Sequence, residues 1–287
     1  MKPAAFEYVA AESEQQALEL KDRYGDDARF LAGGQSLVPA MNYRLVQPAV
    51  LIDLNRVASL AGIEKAKDGG IRIGAMTRHR TVERDALLAR EQPLLGMAMR
   101  NVAHPQVRNR GTLGGNLANA DPASEMPAVL LALDAQVQAQ SSTGERWIKL
   151  QDFCRGIYST ALTETEMLAE ISVPPLPPGA RTCFMEVARR RGDFAMMGVA
   201  VVIRVDDAGI CRLARIALCN AGPGPVLAKK AADLLLGHTV SDDTLKAAAD
   251  AAAQEIDPPG SLQASPAYQR HLAGVVTYRA LNAALDQ

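Results

Sequence analysis

The chain has 287 residues, 48% of them apolar and 22% charged, with a formal net charge of −1. At roughly 150 residues per domain, that length suggests about two domains and enough chain to bury sizeable cores. The balanced charge excludes the basic footprint of a nucleic-acid binder. No apolar run reaches the roughly 18 to 20 residues of a membrane helix, and the start at Met1-Lys2-Pro3 does not resemble a leader; a cytoplasmic protein is expected.

The first segment alternates helix and strand signals. Ser13-Glu14-Gln15-Gln16 reads as a capping box, and Gly25 ends the helix that follows. Ala28 to Ala32 reads as a strand running into Gly33-Gly34, a helix starts near Ser36 with Pro39 in its first turn, and Val50 to Leu54 is the next strand. Residues 1–57 are expected to form one α/β unit.

A second unit is expected over 58–175. Ile71 to Ala75 is strand-like, Thr81 to Ala89 and Pro93 to Ala103 are helical, and Met126 to Ala135 is an apolar helix. Gln136 to Gln140 and Arg146 to Leu150 form a strand pair, and Leu168 to Val173 is a further strand. The proline-rich run Pro174-Pro175-Leu176-Pro177-Pro178-Gly179 marks a boundary, because such a connector cannot lie inside a sheet. Beyond it, over 176–287, come three strands, Cys183 to Arg189, Met196 to Val205 and Cys211 to Cys219. Helices follow from Val226, Ser241 and Pro266, an α+β order with a three-stranded antiparallel sheet.

The four cysteines, Cys154, Cys183, Cys211 and Cys219, include no C-x-x-C pair, and the histidines are scattered. No metal constellation is visible. Two diglycine loops stand out instead: Ala32-Gly33-Gly34-Gln35-Ser36-Leu37 and Gly111-Thr112-Leu113-Gly114-Gly115-Asn116. Paired glycines let main-chain N–H groups converge on an anion without side-chain obstruction, and a following helix N-terminus adds positive potential. The hydroxyls of Ser36 and Thr112 and the Asn116 amide offer further donors. Two such loops facing one another suit a pyrophosphate; a plain tight turn is the alternative for each. Neither loop fits the Rossmann or Walker A pattern. The residues alone lead as far as a dinucleotide held by two glycine loops.

The stretch from Ala103-His104-Pro105-Gln106 to Gly114-Gly115-Asn116 resembles a signature of the molybdenum-hydroxylase flavoproteins, the medium subunits of aerobic carbon monoxide dehydrogenase and their xanthine dehydrogenase relatives. The Ala32 to Leu37 loop resembles that family's first motif, and Arg189 to Ala195 its third landmark. The resemblance implies a vanillyl-alcohol-oxidase (PCMH)-type fold, in which two α/β subdomains hold FAD non-covalently and a C-terminal α+β domain covers the flavin. It places Leu31, Ala32, Gly33, Gly34, Gln35, Ser36 and Leu37, with Thr112, Leu113, Gly114, Gly115 and Asn116, at the cofactor, the two loops on its pyrophosphate. Val102 falls near the cofactor, Glu125 matches an acidic contact with Asp121 as second choice, Leu168 and Ala169 fall at an apolar flavin contact, and Phe194 at an aromatic shield. A valine at Gly114 is expected to intrude where backbone approaches phosphate. Arg108 and Arg110 are open between phosphate and surface roles.

The family resemblance further implies an electron-transfer subunit. Substrate is oxidised at a molybdenum cofactor on a large partner, electrons pass through 2Fe–2S clusters on a small partner, and FAD hands them to an external acceptor, within a dimer of heterotrimers. No general acid–base pair or other catalytic residue is apparent in this chain. Two other readings are a stand-alone FAD-dependent oxidoreductase and a non-redox assembly protein that kept the fold.

Overall fold

A computed structural model describes residues 2–287. In its first unit, strands β1 (Glu7–Ala10), β2 (Ala28–Leu31) and β3 (Val50–Asp53) pair in parallel in the order β1-β3-β2. Parallel strands need crossovers, and helices α1 (Glu14–Tyr24) and α2 (Leu37–Asn42) lie in them. The central β3 is buried throughout, as its apolar run Val50-Leu51-Ile52 requires. Ser13 caps α1 by accepting the Gln16 amide, and Gly25 ends it at φ 50°. The Gln16 side chain returns to the Glu12 amide, one residue earlier than a capping box would have it. Strand β1 escaped the sequence reading because Glu7 and Tyr8 are exposed and leave little apolar pattern.

The second unit is built on strands β4 (Ile63–Lys65), β5 (Ile71–Gly74), β6 (Gln136–Ser141), β7 (Gly144–Lys149) and β10 (Met167–Val173), in the order β4-β5-β10-β6-β7. Every pairing is antiparallel, so this unit is α+β in arrangement and not the α/β subdomain expected. Between β5 and β6 run α3 (His79–Arg84), α4 (Ala86–Glu91), α5 (Pro93–Met99), α6 (Pro105–Arg108), α7 (Leu113–Asn119) and α8 (Glu125–Ala132). The helix expected over 81–89 is two helices. Asp85 takes an extended conformation between them, and its carboxylate accepts the Leu88 amide as the N-cap of α4. After β7 come α9 (Leu150–Phe153) and a small hairpin, β8 (Cys154–Gly156) with β9 (Ser159–Thr160).

Beyond the prolines, β11 (Arg181–Val187), β12 (Met197–Val205), β13 (Cys211–Cys219) and β14 (Val226–Leu227) form a four-stranded sheet, followed by α10 (Lys229–Asp233), α11 (Asp242–Gln254) and α12 (Pro266–Leu285). The three-stranded sheet expected therefore gains a strand: residues 226–227, read as a helix start, pair with Ala217 and Leu218, and the helix waits until Lys229. One face of this sheet carries Cys183, Val199, Val201, Ile216 and Leu218 into a core with α11 and α12. The other face, through Phe184, Ala200, Val202, Ala217 and Cys219, joins the main core of the second unit. That double burial is why 197–203 is continuously apolar without alternation. The core of the first unit is completed by Leu60, Met76, Met167 and Ala169 from beyond residue 57. Among the described residues, no helix is long and apolar enough to cross a membrane.

Candidate functional site

The loop between β2 and α2 is a run of unused donors. Among the described residues, no main-chain N–H from Ala32 to Leu37 has a protein acceptor. Gly34 sits at φ 72°, a region glycine enters without strain. Successive N–H groups in a glycine turn form a concavity suited to an anion, and this is the feature of the chain that fits a diphosphate. Gln35 and Ser36 are exposed, while Gly33 is buried.

The second loop is made differently. It lies on residues 75–79: the Leu113 amide donates to the Thr77 carbonyl, the Gly114 amide to the Ala75 carbonyl, and the His79 amide to the Gly111 carbonyl. The Gly115 amide donates to Thr112 Oγ1, and the Asn116 amide to the Thr112 carbonyl. Its main-chain donors are thus largely spent, and Leu113 is fully buried. What this loop has to spare is the Thr112 amide and hydroxyl hydrogen and the Asn116 side-chain NH₂, whose carbonyl oxygen accepts Ser124 Oγ at 2.8 Å. A Cβ on Gly114 would meet Ala75 Cβ at 2.4 Å and Ala75 Cα at 2.7 Å. Gly114 is therefore glycine because the loop packs on β5's end, and a valine there strikes protein rather than phosphate.

The loops touch. A Cβ on Gly33 would lie 2.3 Å from the Arg110 carbonyl oxygen and 2.8 Å from Gly111 Cα, and one on Gly115 would lie 3.3 Å from Ala32 Cβ. Beside this contact, Asn55 Nδ2 donates to the Ala32 carbonyl at 3.0 Å, and Arg78 donates through its two Nη atoms to Asn55 Oδ1 and to the Arg110 carbonyl. Burial, then the neighbouring Arg110 charge, lower the Arg78 pKa. Beneath the loop lies His79, only 4% exposed, with neither ring nitrogen hydrogen-bonded. Burial pushes its pKa down to about 4, against the pull of the Thr112 carbonyl and helped by the Arg108 charge.

The remaining candidates lie around the seam between the second unit and the C-terminal sheet. Val102 is buried, and its carbonyl accepts Arg108 Nη1 at 2.9 Å. Arg108 also donates to the Ala103 carbonyl at 2.8 Å and pairs with Glu83 at 3.1 Å. Its guanidinium is thus occupied in shaping the 102–103 turn, and neither the phosphate nor the surface role holds. Leu168 and Ala169 straddle a bulge in β10 and face opposite cores, Leu168 the main one and Ala169 that of the first unit. Asp121 is engaged in its own turn, accepting the Ala123 amide at 2.9 Å and the Tyr158 hydroxyl at 3.3 Å.

Glu125 follows Ser124 at the start of α8, buried to 4% exposure. Burial pushes its pKa up to about 8, reinforced by the negative charge of Glu186 on β11. Glu186 is itself pushed up to about 7 by burial, and its Oε2 has no partner. Phe194, by contrast, is 64% exposed, which disposes of a core role at the strand start. Its loop is docked at both ends. A Cβ on Gly192 would meet the His104 ring and the Ala103 carbonyl within 2.9 Å. Asn220 donates through Nδ2 to the Ala195 carbonyl at 2.8 Å, and its amide donates to the Pro122 carbonyl.

Asn55, Arg78, His79, Glu186 and Asn220 escaped the sequence reading. Of these, only Asn220 takes the left-handed backbone, at φ 55°, that its residue type favours.

Comparison with known proteins places these features in context. The family described as "FAD binding domain in molybdopterin dehydrogenase" matches residues 4–176, and "CO dehydrogenase flavoprotein C-terminal domain" matches residues 182–284. The 6-hydroxypseudooxynicotine dehydrogenase complex subunit alpha of Paenarthrobacter nicotinovorans is 42% identical, over 100% of this chain and 97% of that protein. Caffeine dehydrogenase subunit beta of Pseudomonas sp. strain CBB1 is 40% identical, over 100% and 97%. Among solved structures, a chain of carbon monoxide dehydrogenase from Hydrogenophaga pseudoflava superposes with a TM-score of 0.97 at 38% identity, covering 100% of this chain and 99% of that one.

Proposed function

The chain belongs to the FAD-binding subunits of the molybdopterin dehydrogenases, and from that premise we propose that it is the electron-transfer subunit of a molybdenum hydroxylase. In this reading it holds FAD non-covalently on the 31–37 and 112–116 loops. It receives electrons from 2Fe–2S clusters on a small partner and passes them to an external acceptor; the substrate is oxidised at a molybdenum cofactor on a large partner. The unit boundaries at 57 and 175, a PCMH-type arrangement of the two cofactor-binding units, a dimer of heterotrimers and a cytoplasmic setting are parts of the same proposal.

The observation that carries it is the unbroken run of acceptor-free amides from Ala32 to Leu37, pressed against a second loop that adds Thr112 and Asn116 donors. Bound flavin supplies the redox chemistry; the protein binds and orients it. Amides 32–37 hold the phosphates, with Ser36, Thr112 and Asn116 as side-chain donors. Glu125, in this reading, stays protonated near neutral pH and so adds no charge to the cofactor's surroundings. Phe194, exposed on its docked loop, limits water over the ring.

The test is an absorption spectrum of the purified chain followed by anaerobic substrate titration with and without co-expressed partner subunits. Flavin bands bleached only in the partners' presence are expected. Bleaching of the isolated chain by substrate would point to a stand-alone oxidoreductase, and a colourless chain that takes up no added FAD would leave only the assembly role.

A further inference from the structure

Resting on the reading that FAD lies on the two glycine loops, we propose that Arg78 is a positioning residue for the cofactor, acting with Asn55 as a fastener that fixes one loop against the other. The loops belong to different units and different sheets. Where they meet, Gly33 lies on Arg110 and Gly111, and Gly115 on Ala32. Contacts between glycine faces bury little apolar surface, so packing alone gives this junction small stability. The polar chain beside it supplies what packing does not.

Its links are specific. Tyr8 donates its hydroxyl to Asp53 Oδ2 at 2.5 Å, and Asp53 Oδ1 accepts both the Asn55 amide, at 2.8 Å, and Asn55 Nδ2. Asn55, so oriented, offers Nδ2 to the first loop at the Ala32 carbonyl and Oδ1 to Arg78 Nη2. Arg78 Nη1 then reaches the second loop at the Arg110 carbonyl. The main chain around Arg78 is already joined to that loop, through the His79 amide to the Gly111 carbonyl and the Leu113 amide to the Thr77 carbonyl. Residues 77–79 thus act as a splint: backbone along the second loop, and the Arg78 side chain linked through Asn55 to the first. A planar guanidinium donates to two fixed acceptors at once; a lysine ammonium presents a point charge without that fork. The consequence is that the diphosphate meets one preformed surface instead of two independent loops, and less of the binding free energy is lost in ordering them.

The experiment is a double-mutant cycle on the full chain, stripped of flavin and titrated with FAD by fluorescence. The variants are Arg78→Met, Asn55→Ala, their combination, and Arg78→Lys, with circular dichroism and melting of each flavin-free chain alongside. Arg78→Met and Asn55→Ala are each expected to weaken FAD binding about tenfold, the double variant falling within about twofold of either single one, because coupled partners do not add. Arg78→Lys is expected to stay weak, with secondary structure unchanged throughout. Should Arg78→Met not fold, Asn55→Ala removes no charge and carries the test. Wild-type affinity in Arg78→Lys together with an inert Asn55→Ala would mean that the charge alone matters and would overturn the fastener. Equal FAD affinity in all variants would overturn it while leaving the FAD reading intact. A wild-type chain that takes up no FAD would remove the reading on which it rests.

Discussion

Glu125 and Glu186 bring two carboxyls to one buried seam, and burial dominates both shifts. Glu125 loses its proton near its ordinary 4.5 when unfolded but keeps it to about 8 when folded. Across that window the native state holds a proton the unfolded chain has lost. The stability contribution present below about pH 4.5 is therefore lost as pH rises through about 8. Glu125→Gln is neutral at every pH, so the flavin-free variant should gain on wild type in melting temperature between about pH 5.5 and 8.5; a gap that stays constant would contradict the assigned burial. Residues like these explain where sequence reading stopped. The glycine loops were legible because Gly33-Gly34 and Gly114-Gly115 are unusual in local sequence. Asn55, Arg78 and Glu186 were not, because each acquires its role from a partner tens of residues away: Ala32, Arg110 and Glu125.

The loop carrying Phe194 shows how an element is placed without being a helix or strand. Gly192, at φ 88°, sits flush against the His104 ring and the Ala103 carbonyl, and Asn220 pins the loop's far end to Ala195. Gly192→Ala puts a methyl within 2.9 Å of both neighbours and strains the backbone as well. It should lower the melting temperature by roughly 2–4 °C, for about 1 kcal/mol of strain, and expose the bound flavin to a soluble fluorescence quencher. Unchanged quenching would show that the docking does not shield the site. The longer elements were readable from periodicity: Ser241 caps α11 and Pro266 opens α12 where the sequence signals put them. Of the strands missed, β4, β8, β9 and β14 span two or three residues each, too few to carry a period, and the four-residue β1 has an exposed start that hides one.

At the scale of the molecule, the proline connector at 174–178 is a boundary in sequence but not in packing. Phe184, Ala200, Val202, Ala217 and Cys219 from beyond it share a core with Leu94, Leu117, Val129 and Ile171 from before it. A fragment ending at residue 176 would present that face to water. It should be recovered largely in aggregates, and the full chain should melt in a single transition. Two separate transitions in calorimetry would show that the parts are independent.

The unpartnered imidazole of His79 has a consequence for how the site behaves as its surroundings acidify. It is packed directly beneath the second loop, where a protonated ring would add positive charge at the proposed phosphate cradle. Held neutral down to about 4, it fills space without acting as a switch. The proposed grip on a diphosphate is in this respect buffered against pH: acidification by a unit from neutral leaves the charge of the imidazole beneath this loop unchanged.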